Sequence, residues 1–147
     1  MATAQLDLSF ERLRSFVGDE ETAALLRLPD ALRTALCRLD GRALPSSARD
    51  GACPGASKPL EMFIRRYTAD TRPWIPFHCD RAAVTVNVAL ADDSAHGGGR
   101  LVAVADQAIV PIERVEGEAT VHSSKLLHAV TCMTSGVRYA LIIFCAA

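Results

Sequence analysis

Val84-Thr85-Val86-Asn87-Val88-Ala89-Leu90 is the stretch whose reading decides the fold. Strongly apolar residues alternate in it with small or polar ones, the two-residue period of a β-strand with two unlike faces. Val84, Val86, Val88 and Leu90 share one face and are expected to pack outward, against a covering layer of helices. Thr85, Asn87 and Ala89 share the other and are expected to line an interior cavity. A slip of one residue would exchange the two faces, so the register has to be well specified. Downstream and upstream lie further strand-like segments, at residues 60–68, 100–105, 108–113, 118–122, 126–131 and 137–145. Turn signals separate them, Gly97-Gly98-Gly99 being the clearest. So many short strands in the second half of the chain predict an antiparallel sandwich or small barrel.

Before residue 60 the period changes. Leu8, Phe10, Leu13, Phe16 and Val17 recur at helical spacing, with Gly18 as a stop. Asp19 caps a second helix through Leu26, with Glu20 and Glu21 in its first turn. Pro29-Asp30 opens a third amphipathic stretch, Leu32, Ala35, Leu36 and Leu39, which Gly41 ends. The expectation is one domain over 1–147: helical support in 1–40, a Gly/Pro/Ser-rich loop in 41–59 and a β core in 60–147.

Composition narrows the function. A hydrophobic content of 50% suits a folded globule, and a net charge of −1 gives no pull toward nucleic acid or membrane. No apolar run approaches the length of a membrane helix. Met1–Asp7 shows neither the basic nor the apolar region of a signal peptide, which suggests a cytoplasmic location unless the chain is an excised domain. The five cysteines, Cys37, Cys53, Cys79, Cys132 and Cys145, are odd in number and lack a C-x-x-C spacing. They fit a reducing compartment better than a disulfide framework.

The chemistry concentrates in Pro76-Phe77-His78-Cys79-Asp80. On a strand, His78 and Asp80 would point to one side and could aim at one ion. His128, in the later segment Leu126-Leu127-His128-Ala129-Val130, is the candidate third ligand. Two histidines and a carboxylate leave three positions of an octahedron open, the arrangement of non-haem Fe(II) oxygenases. Arg138 lies in the apolar run 137–144, where an unpaired charge is costly and calls for an anionic partner.

These motifs, with Phe63-Ile64-Arg65-Arg66-Tyr67, Gly97-Gly98-Gly99 and Gly136-Val137-Arg138-Tyr139, resemble the Fe(II)/2-oxoglutarate dioxygenase superfamily over residues 60–145. Within it they are most similar to the catalytic domains of procollagen lysyl hydroxylases, and next to prolyl hydroxylases. The resemblance implies a double-stranded β-helix, the jelly roll of the cupins, mainly β with an N-terminal α layer. It implies that His78, Asp80 and His128 hold Fe(II), and that Arg138, aided by Tyr67 and with Asn87 nearby, holds 2-oxoglutarate. O2 would be consumed, with ascorbate as an optional reductant, and succinate and CO2 released. The implied substrate is a lysyl or prolyl side chain of a protein or peptide. Alternatives are a non-catalytic metal-binding module, a hydroxylase of a small molecule, and a cupin-like enzyme without a cosubstrate. His122 reads as a partly exposed strand histidine or a partner of the ligands, and His96 as a solvated loop residue. Cys79 reads as a buried spectator, and Trp74 as either a substrate contact or a cap on the core.

Overall fold

A computed structural model describes residues 4–39 and 59–146. The expected loop at 41–59 falls almost wholly outside the described residues. Strand β1 (Gln5–Asp7) is followed by helices α1 (Phe10–Val17) and α2 (Asp19–Leu39). Then come β2 (Pro59–Tyr67), β3 (Ile75–His78), β4 (Val84–Ala89), β5 (Gly97–Gly98), β6 (Leu101–Ala105) and β7 (Ala108–Ile112). The chain closes with β8 (Ala119–Ser123), β9 (His128–Val130), β10 (Met133–Ser135) and β11 (Arg138–Cys145). The strands form one sheet in the order β1-β2-β11-β4-β8, a second in the order β3-β9-β6-β7, and a two-stranded pair β10-β5. All the pairings are antiparallel. This is the double-stranded β-helix, with Pro111 on the edge strand β7, where a missing N–H does least harm.

The two faces of β4 part as the alternation predicts. Val84, Val86 and Val88 join Leu13 and Leu26 of the helices and Leu141, Ile143 and Cys145 of β11 in one apolar cluster. Each such valine contributes about 1.5–3 kcal/mol relative to an exposed one. Thr85 and Asn87 face the opposite way, into a cavity between the two large sheets. Leu90 departs from its expected place. The strand ends at Ala89, and Leu90 is exposed beside Leu6, Ile64 and Tyr139 and is no part of the helix-packed cluster.

The helical region also differs from the reading. The second and third stretches are one helix, which runs through Pro29. Proline costs that helix a backbone hydrogen bond, but the Pro29 ring is fully buried, and its apolar contacts offset the loss. Gly18 does stop α1, at a φ of 94° that suits glycine, and Ser9 caps its start by accepting from the Arg12 amide at 3.2 Å. At Gly98, with φ of 66°, a Cβ would collide with the Cys132 carbonyl, so the glycine run allows β5 to lie against β10.

Candidate metal centre

Three elements bring the site together. His78 ends β3, His128 begins β9, and the two are cross-strand partners in one sheet. Asp80 lies two residues beyond the end of β3, in chain without regular structure. Its convergence with His78 therefore does not come from strand alternation, as the sequence suggested. It comes from a hydrogen bond across to the other sheet, in which the Thr85 hydroxyl donates to Asp80 Oδ2 at 2.6 Å.

The ligating atoms of His78, Asp80 and His128 lie within 4.8 Å of one another. His78 Nε2 is 3.5 Å from Asp80 Oδ1, and His128 Nε2 is 3.7 Å from Asp80 Oδ2. His78 Nδ1 lies 2.9 Å from the Pro76 carbonyl, and His128 Nδ1 3.0 Å from the Leu126 carbonyl. A carbonyl only accepts, so each Nδ1 carries the proton and each Nε2 keeps a lone pair turned toward Asp80. Two lone pairs and a carboxylate facing one point repel each other unless a cation stands between them. Ligands about 2.1 Å from an ion at 90–109° are roughly 3.0–3.4 Å apart, so small shifts close the set. The donors are mixed nitrogen and oxygen with hydrogen-bonded outer rings, which fits Fe(II) and related divalent ions.

His122 is a fourth group at this centre. It is buried and beside Asp80, so of the two readings it fits the partner of the ligands and not the partly exposed strand histidine. Its Nδ1 is 3.1 Å from the Ser123 carbonyl and its Nε2 3.7 Å from Asp80 Oδ2. Burial pushes its pKa below the ordinary histidine value, with the neighbouring His128 adding to this. The position was legible, since His122 pairs with Thr85 on the cavity side of β4, but only once the register was known.

The rest of the cavity is lined by Phe63, Arg65, Tyr67, Ile75, Asn87, Leu101, Val130, Ile142 and Phe144. Tyr67 and Asn87 are both among these lining side chains. Arg138 is buried on the cavity side of β11, opposite Tyr67, with its guanidinium carbon 4.7 Å from the centre of the Tyr67 ring. It is not among the side chains lining the cavity; Arg65 is. Arg114 is buried close by. Its Nη2 donates to the Asn87 carbonyl at 3.1 Å, and burial, reinforced by the Arg138 charge, lowers its pKa to about 10.

Two other readings are corrected and one is narrowed. His96 is buried, with its Nδ1 2.9 Å from the Gly98 carbonyl, because the glycine run folds back over it. Cys79 is exposed: the irregular chain between His78 and Asp80 turns both ligands inward and this side chain out. Trp74 is exposed and does not line the cavity, so it caps no core.

No family model and no curated protein matches the sequence. Among solved structures, the chain is similar to a Pseudomonas putida prolyl-4-hydroxylase, at 23% identity and a TM-score of 0.56 over 83% of this chain and 60% of that one. It is similar to a 2OG-Fe(II) oxygenase family oxidoreductase from Burkholderia pseudomallei, at 20% identity and 0.53 over 67% and 48%. A third is the Trichoplax adhaerens prolyl hydroxylase in complex with a hypoxia inducible factor peptide fragment, at 18% and 0.51 over 67% and 50%. The chain spans about half to three-fifths of the length of these proteins. At such identities the likeness establishes the fold alone, a double-stranded β-helix.

Proposed function

We propose that this protein is an Fe(II)- and 2-oxoglutarate-dependent dioxygenase. It would hydroxylate a C–H bond of a prolyl or lysyl side chain in a protein or peptide. The observation that carries the reading is the convergence of the His78, Asp80 and His128 donor atoms on one point at the wall of a cavity in this fold. When bound, Fe(II) and 2-oxoglutarate supply the oxidising power. One oxygen atom of O2 ends in the hydroxyl and the other in succinate, with CO2 released.

The chain's own residues bind and orient. His78 and His128 would hold the iron through Nε2, each ring fixed by its Nδ1–H donating to the Pro76 or Leu126 carbonyl. Asp80 would hold it through a carboxylate steered by Thr85. Tyr67, Asn87 and Arg138 would serve the cosubstrate; Arg138 Nη1 and Asn87 Oδ1 are buried without a hydrogen-bond partner, as groups awaiting a ligand would be. Phe63, Ile142 and Phe144 give the cavity an apolar wall that excludes water from the cosubstrate.

A peptide substrate is supported by the Trichoplax neighbour, which is complexed with one. Exposed Trp74 and Phe77, on either side of Ile75-Pro76 and close in sequence to His78, offer aromatic surface on which a peptide could lie. The test is succinate release with 2-oxoglutarate, Fe(II), O2 and ascorbate, against proline-rich and lysine-rich peptides. The expected result is one oxygen added to a peptide per succinate formed. Succinate release that no peptide stimulates would leave a small-molecule substrate, and no succinate at all would leave a non-catalytic metal-binding module.

A further inference from the structure

His122 is a third imidazole beside Asp80, and the set of His78, Asp80 and His128 makes no use of it. It stands on β8, which pairs with β4 so that His122 lies across from Thr85. The Thr85 hydroxyl fixes Asp80, so the strand register brings His122 to the same carboxylate. His122 Nε2 is 3.7 Å from Asp80 Oδ2, and His128 Nε2 is the same 3.7 Å from that atom. The three rings form a run with His128 in the middle. Its centre is 4.4 Å from that of His78 and 4.7 Å from that of His122. His122 is also as well buried as His128.

A hydrogen bond does not explain this approach to Asp80. His122 Nδ1 donates to the Ser123 carbonyl at 3.1 Å, as the Nδ1 atoms of His78 and His128 donate to the carbonyls of Pro76 and Leu126. In such a ring Nε2 has a lone pair and nothing to donate, while Asp80 Oδ2 already accepts from Thr85. A lone pair facing a carboxylate oxygen in a buried place is unfavourable unless a cation lies between them. That condition marks His78 and His128 as ligands, and it holds equally for His122. One difference separates them. The donor atoms of His78, Asp80 and His128 all lie within 4.8 Å of one another, and His122 does not belong to that compact set. It can therefore add to the three but not replace one of them, since a chain without Asp80 or His128 has no compact set left. It is also the donor that a chelating ligand displaces most easily.

Resting on the dioxygenase reading, we propose that His122 is a fourth, releasable metal ligand, bound through Nε2 while the cosubstrate is absent and given up when the cosubstrate chelates. Two histidines and a carboxylate leave three positions of an octahedron open, and a chelating oxoacid together with O2 needs all three. A fourth protein ligand leaves only two, so His122 has to yield before both can bind. In the resting protein the metal is held more tightly and is less open to O2. Oxoacid binding works against the His122 bond.

The test reads ligands and affinities on the Co(II)-loaded protein, without turnover. A histidine bound through Nε2 to paramagnetic Co(II) shows its Nδ1 proton far outside the usual range of the proton NMR spectrum. The carbonyl on each Nδ1 slows exchange of that proton with water. The wild-type protein should show three such signals alone and two with 2-oxoglutarate under argon. His122→Phe keeps a buried ring and should show two in both states. It should bind Co(II) more weakly by at least the loss expected for an outer partner, about 10–100-fold. Its Co(II) form should bind 2-oxoglutarate more tightly by the same factor, because the coupling between the two ligands is reciprocal. A packing role for His122 would not move the two affinities in opposite directions. His122→Gln replaces the Phe variant if that does not fold. Two signals in the wild-type protein, with metal affinity unchanged in a folded variant, overturn the proposal and leave the dioxygenase reading standing. Three signals in a wild-type protein that binds no 2-oxoglutarate keep His122 as a ligand and overturn both its release and the dioxygenase reading.

Discussion

At the metal end of the cavity each histidine has its Nδ1 on a backbone carbonyl, and Asp80 accepts from Thr85. At the other end Arg65, Arg114 and Arg138 all keep buried nitrogens without partners, and the side-chain Oδ1 of Asn87 is buried without one too. The first end is held in its geometry by the fold before any ligand arrives. The second has its polar groups in place but unsatisfied, so a ligand would complete it. The difference predicts how substitutions divide. Changes at the metal end should act on metal affinity, and changes at the cation end on cosubstrate affinity with the metal still bound.

The largest effect is expected from His128→Ala or Asp80→Ala. Either leaves too few protein donors for a weakly held divalent ion, so metal content after dialysis should fall to background and turnover with it. Excess 2-oxoglutarate should not restore activity. An Asp80→Ala protein that retained a full equivalent of metal would break the comparison at its stronger end. Thr85→Val tests the same end more gently, because it is nearly isosteric and removes only the hydroxyl that steers Asp80. Loss of such an outer partner typically costs about 10–100-fold in metal affinity. Unchanged metal affinity would mean that Asp80 is positioned by the chain alone.

Arg138→Gln belongs to the other end. Its guanidinium lies against the ring of Tyr67, which lines the cavity, so we expect 2-oxoglutarate affinity to fall by about tenfold, or 1.4 kcal/mol, with metal affinity unchanged. High 2-oxoglutarate should restore the rate, since a contact made equally before and during reaction appears mainly in KM. A fall in kcat that saturation does not repair would place Arg138 nearer the reacting centre than the structure does.

The two ends also differ in how far the sequence disclosed them. Histidines are few and His78 and Asp80 are close neighbours, so residue type and spacing made His78, Asp80 and His128 candidates, and the family resemblance of the ordered motifs singled them out. The geometric reason was not legible, because Asp80 is steered by a residue on the opposite sheet. The alternation of Val84 to Leu90 correctly separated a helix-packed face from a cavity face, since burial of valines in one direction leaves no other register. It failed at Leu90, where the strand had already ended. At the cation end arginine is common in this chain, and an arginine by itself does not say which way it points. The period of Phe63-Ile64-Arg65-Arg66-Tyr67 could have indicated it, since alternation puts Arg65 with the two aromatic residues. Pairing with Ala140 and Ala89, which makes room for it, appears only in the folded sheet.

Asn87→Leu should give the smallest change, and its sign carries the information. Asn87 is buried, lines the cavity, and pairs across the sheet with Ile142 and Thr120. Its side-chain carbonyl has no partner, and leaving such a group unsatisfied costs about 1–3 kcal/mol. Leucine is of similar size and has no polar atom to strand, while the backbone carbonyl that Arg114 uses is unaffected. If Asn87 is kept for the cosubstrate, the metal-free variant should be the more stable protein. Its melting temperature should rise by about 2–4 °C for each kcal/mol gained. The same variant should bind 2-oxoglutarate about three- to tenfold less tightly, as for one lost hydrogen bond. Thermal melts of the metal-free protein and calorimetry of the Mn(II) form read the two effects separately. A variant that melts lower and binds normally would place Asn87 with the self-satisfied groups of the metal end, and the boundary between the two ends would have to be redrawn through β4.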